Sequence, residues 1–138
     1  HFKLLSEEHF DFEQWHPDNE VSTIQKMKIG LMPLSDDPWS RGKCSYKMLL
    51  YMACEVPCVV SNVGMNRAIL NKSEVGIGVD IASDWVSAIS SLVLDSELCQ
   101  QMGEAGRQLV LREYSVSSAG AKWLGVLEQV MQRSGLNG

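Results

Sequence analysis

The stretch "IGLMPLSDDPWSRGKCSYKMLLYMACEVPCVVS", residues 29–61, decides the fold. It opens on an apolar run, Ile29 to Leu34, of the length of a buried strand. A polar loop, 35–45, leads into residues 45–54, which read as a helix. After Pro57 the run CVVS, residues 58–61, is short, apolar and β-branched at its centre, and reads as a second strand. Strand, helix and strand in succession predict a parallel pair joined by a crossover helix. Arg41, Lys43 and Lys47 place three cations within seven residues of a chain whose net charge is −5. A helix N-terminus exposes amide donors and a partial positive charge, so cations gathered beside it suit a phosphate or diphosphate. Arg clamps phosphate bidentately, Lys acts as a point charge, and Gly42 is expected to let the backbone approach closely. A solvated turn with scattered charges is the competing reading of the same residues.

Outward from this block the alternation continues. FKLL (2–5), FDFEQW (10–15) and VGIGV (75–79) read as strands, the second by strict alternation. Pro17-Asp18 opens a helix, with Asp18 as N-cap and Val21, Ile24 and Met27 on one face. From Ser83 or Asp84 the chain turns wholly helical. One helix runs to Leu94 with Trp85, Ala88, Ile89 and Leu92 inward, a second spans 96–113, and a third spans 117–133 with Trp123, Leu124, Leu127, Val130 and Met131 inward. SGLNG is expected to fray. The predicted fold is α/β: a Rossmann-like parallel sheet with helices on both faces, right-handed crossovers and an all-helical C-terminal third. Ligands of such sheets sit beyond the carboxyl ends of the strands, which puts loop 35–45 in the binding crevice. Met48, Leu49, Met52 and Val59 are expected in the core.

At 138 residues the chain makes a single domain. Its acidic balance, with 45% hydrophobic and 21% charged residues, argues against nucleic acid or a membrane surface as partner. No apolar run approaches the roughly 18 residues of a membrane span, and no signal-peptide pattern stands at the start. The chain opens on His1, so an N-terminally truncated piece of a longer protein is expected. Cys44, Cys54, Cys58 and Cys99 complete no zinc set, and read as free thiols of a reducing cytoplasm. His1, His9 and His16 lack ligand spacing.

The central block, extended through "SNVGMNRAIL" (61–70), resembles the C-terminal, donor-binding half of GT-B glycosyltransferases of the large group 1 (family 4-like) family. The resemblance runs from about Phe10 to about Glu128, and takes in MGEAGR (102–107) and the aromatic-Ser pair Tyr114-Ser115. It implies half of a GT-B fold and a nucleotide-diphosphate-sugar donor held here. A glycan or lipid-linked acceptor would be held mainly by an absent N-terminal domain. Transfer would retain anomeric configuration with no cofactor and no metal, in a cytoplasmic protein that can lie peripherally on the inner face of the membrane. Residues 1–138 alone are then expected to be inactive.

Residue by residue, the resemblance assigns Cys44 and Ser45 to backbone amides facing the donor, and Arg41, Gly42, Lys43 and Lys47 to its phosphates or sugar. Asp36, Asp37 and Trp39 become sugar contacts, with a cap at Pro38 as the other role of either Asp. Trp15 and His16 fall in the nucleobase region, where packing is the expected role of Trp15. The sequence departs from the family at four places. Two glutamates spaced eight apart are replaced by Gly42 and Leu50, and Leu50 cannot hydrogen-bond ribose hydroxyls. Ala68 stands for the glutamate of an N-x-E-I pattern, and Glu55 for the glycine after the helix, so that turn is expected to differ. Leu50 and Ala68 motivate an alternative, a non-catalytic module for weak nucleotide-sugar binding or partner contact. A receiver-like phosphate switch built on Asp36 and Asp37 fits poorly, because such acidic pairs follow the first strand.

Overall fold

The computed structural model describes residues 10–133, with a three-stranded parallel sheet at the centre. Strands β1 (Gly30–Met32), β2 (Cys58–Ser61) and β3 (Gly76–Val79) lie in the order β1-β2-β3. Gly30 pairs with Cys58, so the two strands anticipated as neighbours are parallel, and Cys58 pairs in turn with Gly76, also in parallel. The helices are α1 (Glu20–Ile24), α2 (Pro38–Arg41), α3 (Tyr46–Ala53), α4 (Gly64–Leu70), α5 (Asp84–Leu94), α6 (Ser96–Leu109) and α7 (Val116–Arg133).

Side chains alternate across a strand, and β2 uses both faces because every residue of it is buried. On one face Cys58 and Val60 join Met32, with Met48 and Met52 of α3, Ile69 of α4 and Leu109 of α6. On the other, Val59 and Val79 pack with Ala88 and Leu92 of α5 and Cys99 of α6. The sheet is therefore covered on both sides, as a parallel sheet requires, and Met48, Met52 and Val59 are fully buried. Burial pushes the Cys58 thiol up to about 12.

Several local expectations are corrected. Residues 10–15 form no strand among the described residues, and Glu13 and Trp15 bond to the start of α1. The N-cap of α1 is Asn19, not Asp18, and the helix stops at Ile24. Ile24 alone of the expected face is buried, while Val21 and Met27 are exposed. After α6 the helix continues as a π-helical turn, Val110–Tyr114, rather than an α-helix to 113. Trp123, Leu124, Leu127, Val130 and Met131 face outward, and no residue of α7 is buried. Periodicity reveals that a helix has an apolar face, but not what covers it. FKLL, His1, His9 and SGLNG lie outside the described residues.

The end of α3 keeps the left-handed turn despite its unusual residue. Glu55 sits at φ +62°, where a β-carbon is strained. Arg107 compensates, donating to the Ala53 carbonyl at 2.5 Å and approaching the Glu55 carboxylate at 3.3 Å. The turn is pressed against α6, since a β-carbon at Gly103 would lie 2.2 Å from the Glu55 carbonyl oxygen. At Gly106 it would stand 3.2 Å from the Met52 side chain. MGEAGR is thus a helix-packing motif, its small residues admitting α3.

Two stability outcomes follow from this contact. Gly103→Ala should lower unfolding free energy by at least about 2 kcal/mol, because backbone must move to make room. Glu55→Gly should raise it by about 0.5–1 kcal/mol, since relief of the left-handed conformation outweighs an exposed ion pair. Denaturant unfolding of both variants measures the two effects, and a destabilised Glu55→Gly would contradict the strain.

Candidate functional site

The carboxyl ends of the strands are joined by a small polar network. Pro33 ends β1, and the next amide, Leu34 N–H, donates to Ser61 Oγ at 2.8 Å. The Ser61 carbonyl accepts from Asn66 Nδ2 at 3.0 Å, and Asn66 Oδ1 accepts from Ser45 Oγ at 2.6 Å. Asn66 is wholly buried and Ser45 nearly so. Ser45 is the N-cap of α3, and at φ +58° it turns the loop sharply into the helix. One chain of hydrogen bonds thereby fixes the exit of β1, the end of β2 and the starts of α3 and α4.

Loop 35–45 holds its own helix. Asp37 caps α2, accepting from the Ser40 amide at 2.8 Å, with Pro38 in the first turn. Asp36 takes Arg41 bidentately, at 2.6 Å from Nε and 3.0 Å from Nη2. The Arg41 hydrogen bond holds the Asp36 carboxyl below its ordinary pKa, and Asp36 raises that of Arg41. The pair is therefore complete above the usual aspartate range and opens as pH falls through the lowered value. Gly42 ends α2 at φ −83°, with room for a β-carbon 3.6 Å from the nearest carbonyls, so no close approach depends on it. Gly64 is different: at φ +52°, a β-carbon there would lie 2.8 Å from the Arg41 backbone.

Three clefts border this framework. A polar one of about 420 Å³ lies beyond the strand ends, lined by Asp36, Ser61, Asn62, Arg67, Asp80 and Trp85 among others. Arg67 reaches the Asn62 carbonyl at 2.9 Å through Nε and stands 3.9 Å from Asp80. A second, of about 480 Å³, runs along the start of α3 past Met32, Pro33, Lys43, Cys44, Tyr46 and Lys47. A third, of about 420 Å³ and mostly apolar, is lined by Trp15, Ile24, Met27, Tyr46, Leu50 and Tyr51, with Glu13, Glu20 and Lys47. Tyr46 and Lys47 belong to both of the last two. Among the described residues no three His, Cys, Asp or Glu side chains gather as metal ligands. No helix there is long and apolar enough to cross a membrane.

The family model for glycosyl transferases group 1 matches residues 3–109. The chain belongs to the group 1 glycosyltransferases. No curated protein and no solved structure matches it. The matched span covers the sheet, every cleft just described and all of α6, and leaves out α7.

The structure divides the residues singled out in this group 1 sequence. Lys43, Cys44 and Lys47 line one cleft, whereas Arg41 turns to Asp36. Ser45 faces inward to Asn66 through its side chain. Trp39 is 79% exposed and lines none of the three clefts. Trp15 is 65% exposed rather than packed, and forms a wall of the apolar cleft with Leu50. His16 lies in an exposed turn, its Nδ1 accepting from the Asp18 amide at 3.3 Å. Ala68 is exposed on α4. Sequence reasoning passed over Asn66 and Arg67. A polar pair in the first turn after a buried strand, at the ligand end of the sheet, was the available signal.

Removing the network's centre should be costly. Asn66→Ala leaves the buried Ser45 hydroxyl without its partner, at about 1–3 kcal/mol, while the Ser61 carbonyl keeps the Val63 amide at 2.8 Å. A loss of about 1–3 kcal/mol in denaturant unfolding is expected. A loss under 1 kcal/mol would mean that other groups replace these bonds.

Proposed function

We propose that this chain is the nucleotide-sugar-binding part of a two-domain, GT-B, family 4-like glycosyltransferase. In this reading it is the C-terminal domain. It moves a sugar, with retention, from a nucleoside diphosphate to a glycan or lipid-linked acceptor held mainly by another domain. Such an enzyme would work in the cytoplasm or at the inner face of its membrane. One observation supports the reading most. An apolar cleft with an aromatic wall adjoins, at Tyr46 and Lys47 beside the start of α3, a second cleft whose largely apolar lining carries Lys43 and Lys47. A nucleoside suits the first and a diphosphate the second. There Lys43, Lys47 and the first amides of α3 supply positive charge.

As the glycosidic bond breaks, the departing diphosphate gains negative charge. Cations at that point then stabilise the transition state more than the bound donor, which is the condition for raising kcat. Arg41 contributes less, because Asp36 already neutralises it. Asp36 and Arg67 border the neighbouring polar cleft and suit hydroxyls of the transferred sugar or the acceptor. The proposal needs no metal, the lysines and helix amides meeting the charge instead.

A second reading rests on Leu50. Leu50 lines the apolar cleft at the position where the resemblance implies a glutamate, which favours a module that binds nucleotide-sugar weakly without transfer. Turnover by the full-length protein separates the two.

In the full-length protein, Lys43→Ala and Lys47→Ala should each lower kcat/KM by about 10²–10³-fold, the scale of one lost electrostatic contact. Arg41→Ala should lower it less. Titration should show weaker binding of nucleoside diphosphates to both lysine variants and unchanged binding of free nucleosides. Wild-type diphosphate affinity in both would reassign the lysines to a solvated turn. Residues 1–138 alone should transfer no sugar, since donor and acceptor must be held in register, and measurable transfer by that piece would place the acceptor site here.

A further inference from the structure

The apolar cleft contains two carboxylates, and they are held differently. Glu13 Oε1 accepts from Thr23 Oγ1 at 2.9 Å and from Asn19 Nδ2 at 3.2 Å, both on the α1 side. Glu20 spans the cleft instead. Its Oε1 accepts from the Trp15 indole N–H at 2.8 Å, and its Oε2 from the Tyr46 hydroxyl at 3.3 Å. Two aromatic walls, contributed by the segment before α1 and by the first residue of α3, therefore aim one carboxylate between them. Each carboxylate oxygen offers about two acceptor positions, and each here uses one on an aromatic donor. Each oxygen therefore keeps acceptor capacity for one further donor.

The match for that arrangement is a pair of adjacent hydroxyl donors on an otherwise flat, apolar-faced molecule. A charged carboxylate in an apolar cleft gains from such donors, because they replace water that ligand binding removes. Lys47 lines the same cleft and also the cationic one. The order of chemistry across the surface is then aromatic wall, diol acceptor, cation. This is the order of base, ribose and phosphate in a ribonucleotide. The charge of Glu20 raises the Tyr46 pKa, which keeps that hydroxyl protonated as a donor.

We infer that Glu20 is a specificity-determining residue of the donor site, its carboxylate accepting the 2′- and 3′-hydroxyls of the nucleoside. The inference rests on the donor-binding reading above, and it commits the cleft to ribo- rather than 2′-deoxyribonucleotides.

The test is calorimetric titration of the full-length protein with UDP, GDP and ADP and with their 2′-deoxy counterparts. The wild type should prefer the ribo form of whichever diphosphate it binds by about 10-fold, the worth of one hydrogen bond to a charged group. Glu20→Gln keeps the shape and loses the charge, and should cut that preference at least about threefold. Glu20→Ala should bring it close to one, with affinity for the deoxy form little changed. Tyr46→Phe frees Oε2 from its aromatic donor and should alter the preference without a change in charge. Glu13→Gln should leave it intact. An undiminished ribo preference in Glu20→Gln and Glu20→Ala would overturn the inference while leaving the donor site standing. So would a preference that follows Glu13. Failure of every nucleoside diphosphate to bind the wild type would overturn both.

Discussion

The buried Asn66 amide is the constraint on which the ligand end of this fold depends. A parallel sheet places its strand ends at one edge, but nothing in the sheet itself determines how the loops leaving that edge sit relative to one another. Asn66 does so by using both ends of one side chain, donating to the Ser61 carbonyl and accepting from Ser45. Ser61 in turn receives the first free amide beyond β1. Among the described residues no buried side-chain nitrogen or oxygen lacks a partner, which is the condition under which buried polarity rigidifies rather than destabilises. The direction of α3 at its start is thereby set by hydrogen bonds rather than by apolar packing, which is less directional.

The other end of α3 is held by a steric rule. Gly103 and Gly106 bring α6 so near that the backbone at Glu55 touches it, and Arg107 closes the turn from outside. With both ends fixed, the rotation of an eight-residue helix is determined. Met48 and Met52 must point to the sheet, and Tyr46, Lys47 and Leu50 to the clefts. The small residues of MGEAGR in α6 thus serve the site at a distance. They contact no cleft lined by α3, yet they decide which of its side chains line one.

The parallel pairing of the first two strands and the two-sided cover of the sheet were legible because each rests on short-range patterns: IGLM and CVV are apolar without interruption, and the helix between them is apolar on one face. The failures are equally physical. FDFEQW alternates like a strand, but alternation does not fix backbone pairing, and the carboxylate of Glu13 finds donors in Asn19 and Thr23 at the start of α1. Leu124 and Val130 have helical spacing on α7, but burial is a property of two surfaces. At the site, Arg41, Lys43 and Lys47 were legible as a cation cluster by spacing alone. Spacing does not reveal rotamers, and a bidentate carboxylate five residues away takes the arginine out of the group. Glu20 was invisible because its significance comes from Tyr46, twenty-six positions on.

That redistribution of charge reconciles an acidic chain with the anionic donor proposed for it. The cations around the strand ends fall into two sets. Arg41 and Arg67 face Asp36 and Asp80, so the polar cleft they border is close to neutral and suits hydroxyl groups. Among the described residues Lys43 and Lys47 have no carboxylate partner, and they flank the start of α3, whose peptide dipoles add to their field. A net charge of −5 repels a diphosphate at long range, but that repulsion is screened within about 8–10 Å in physiological salt. At contact, only the nearest few charges count. An acidic protein can therefore hold a dianion by leaving two lysines unpaired at one helix end, while pairing its arginines where a neutral sugar would lie.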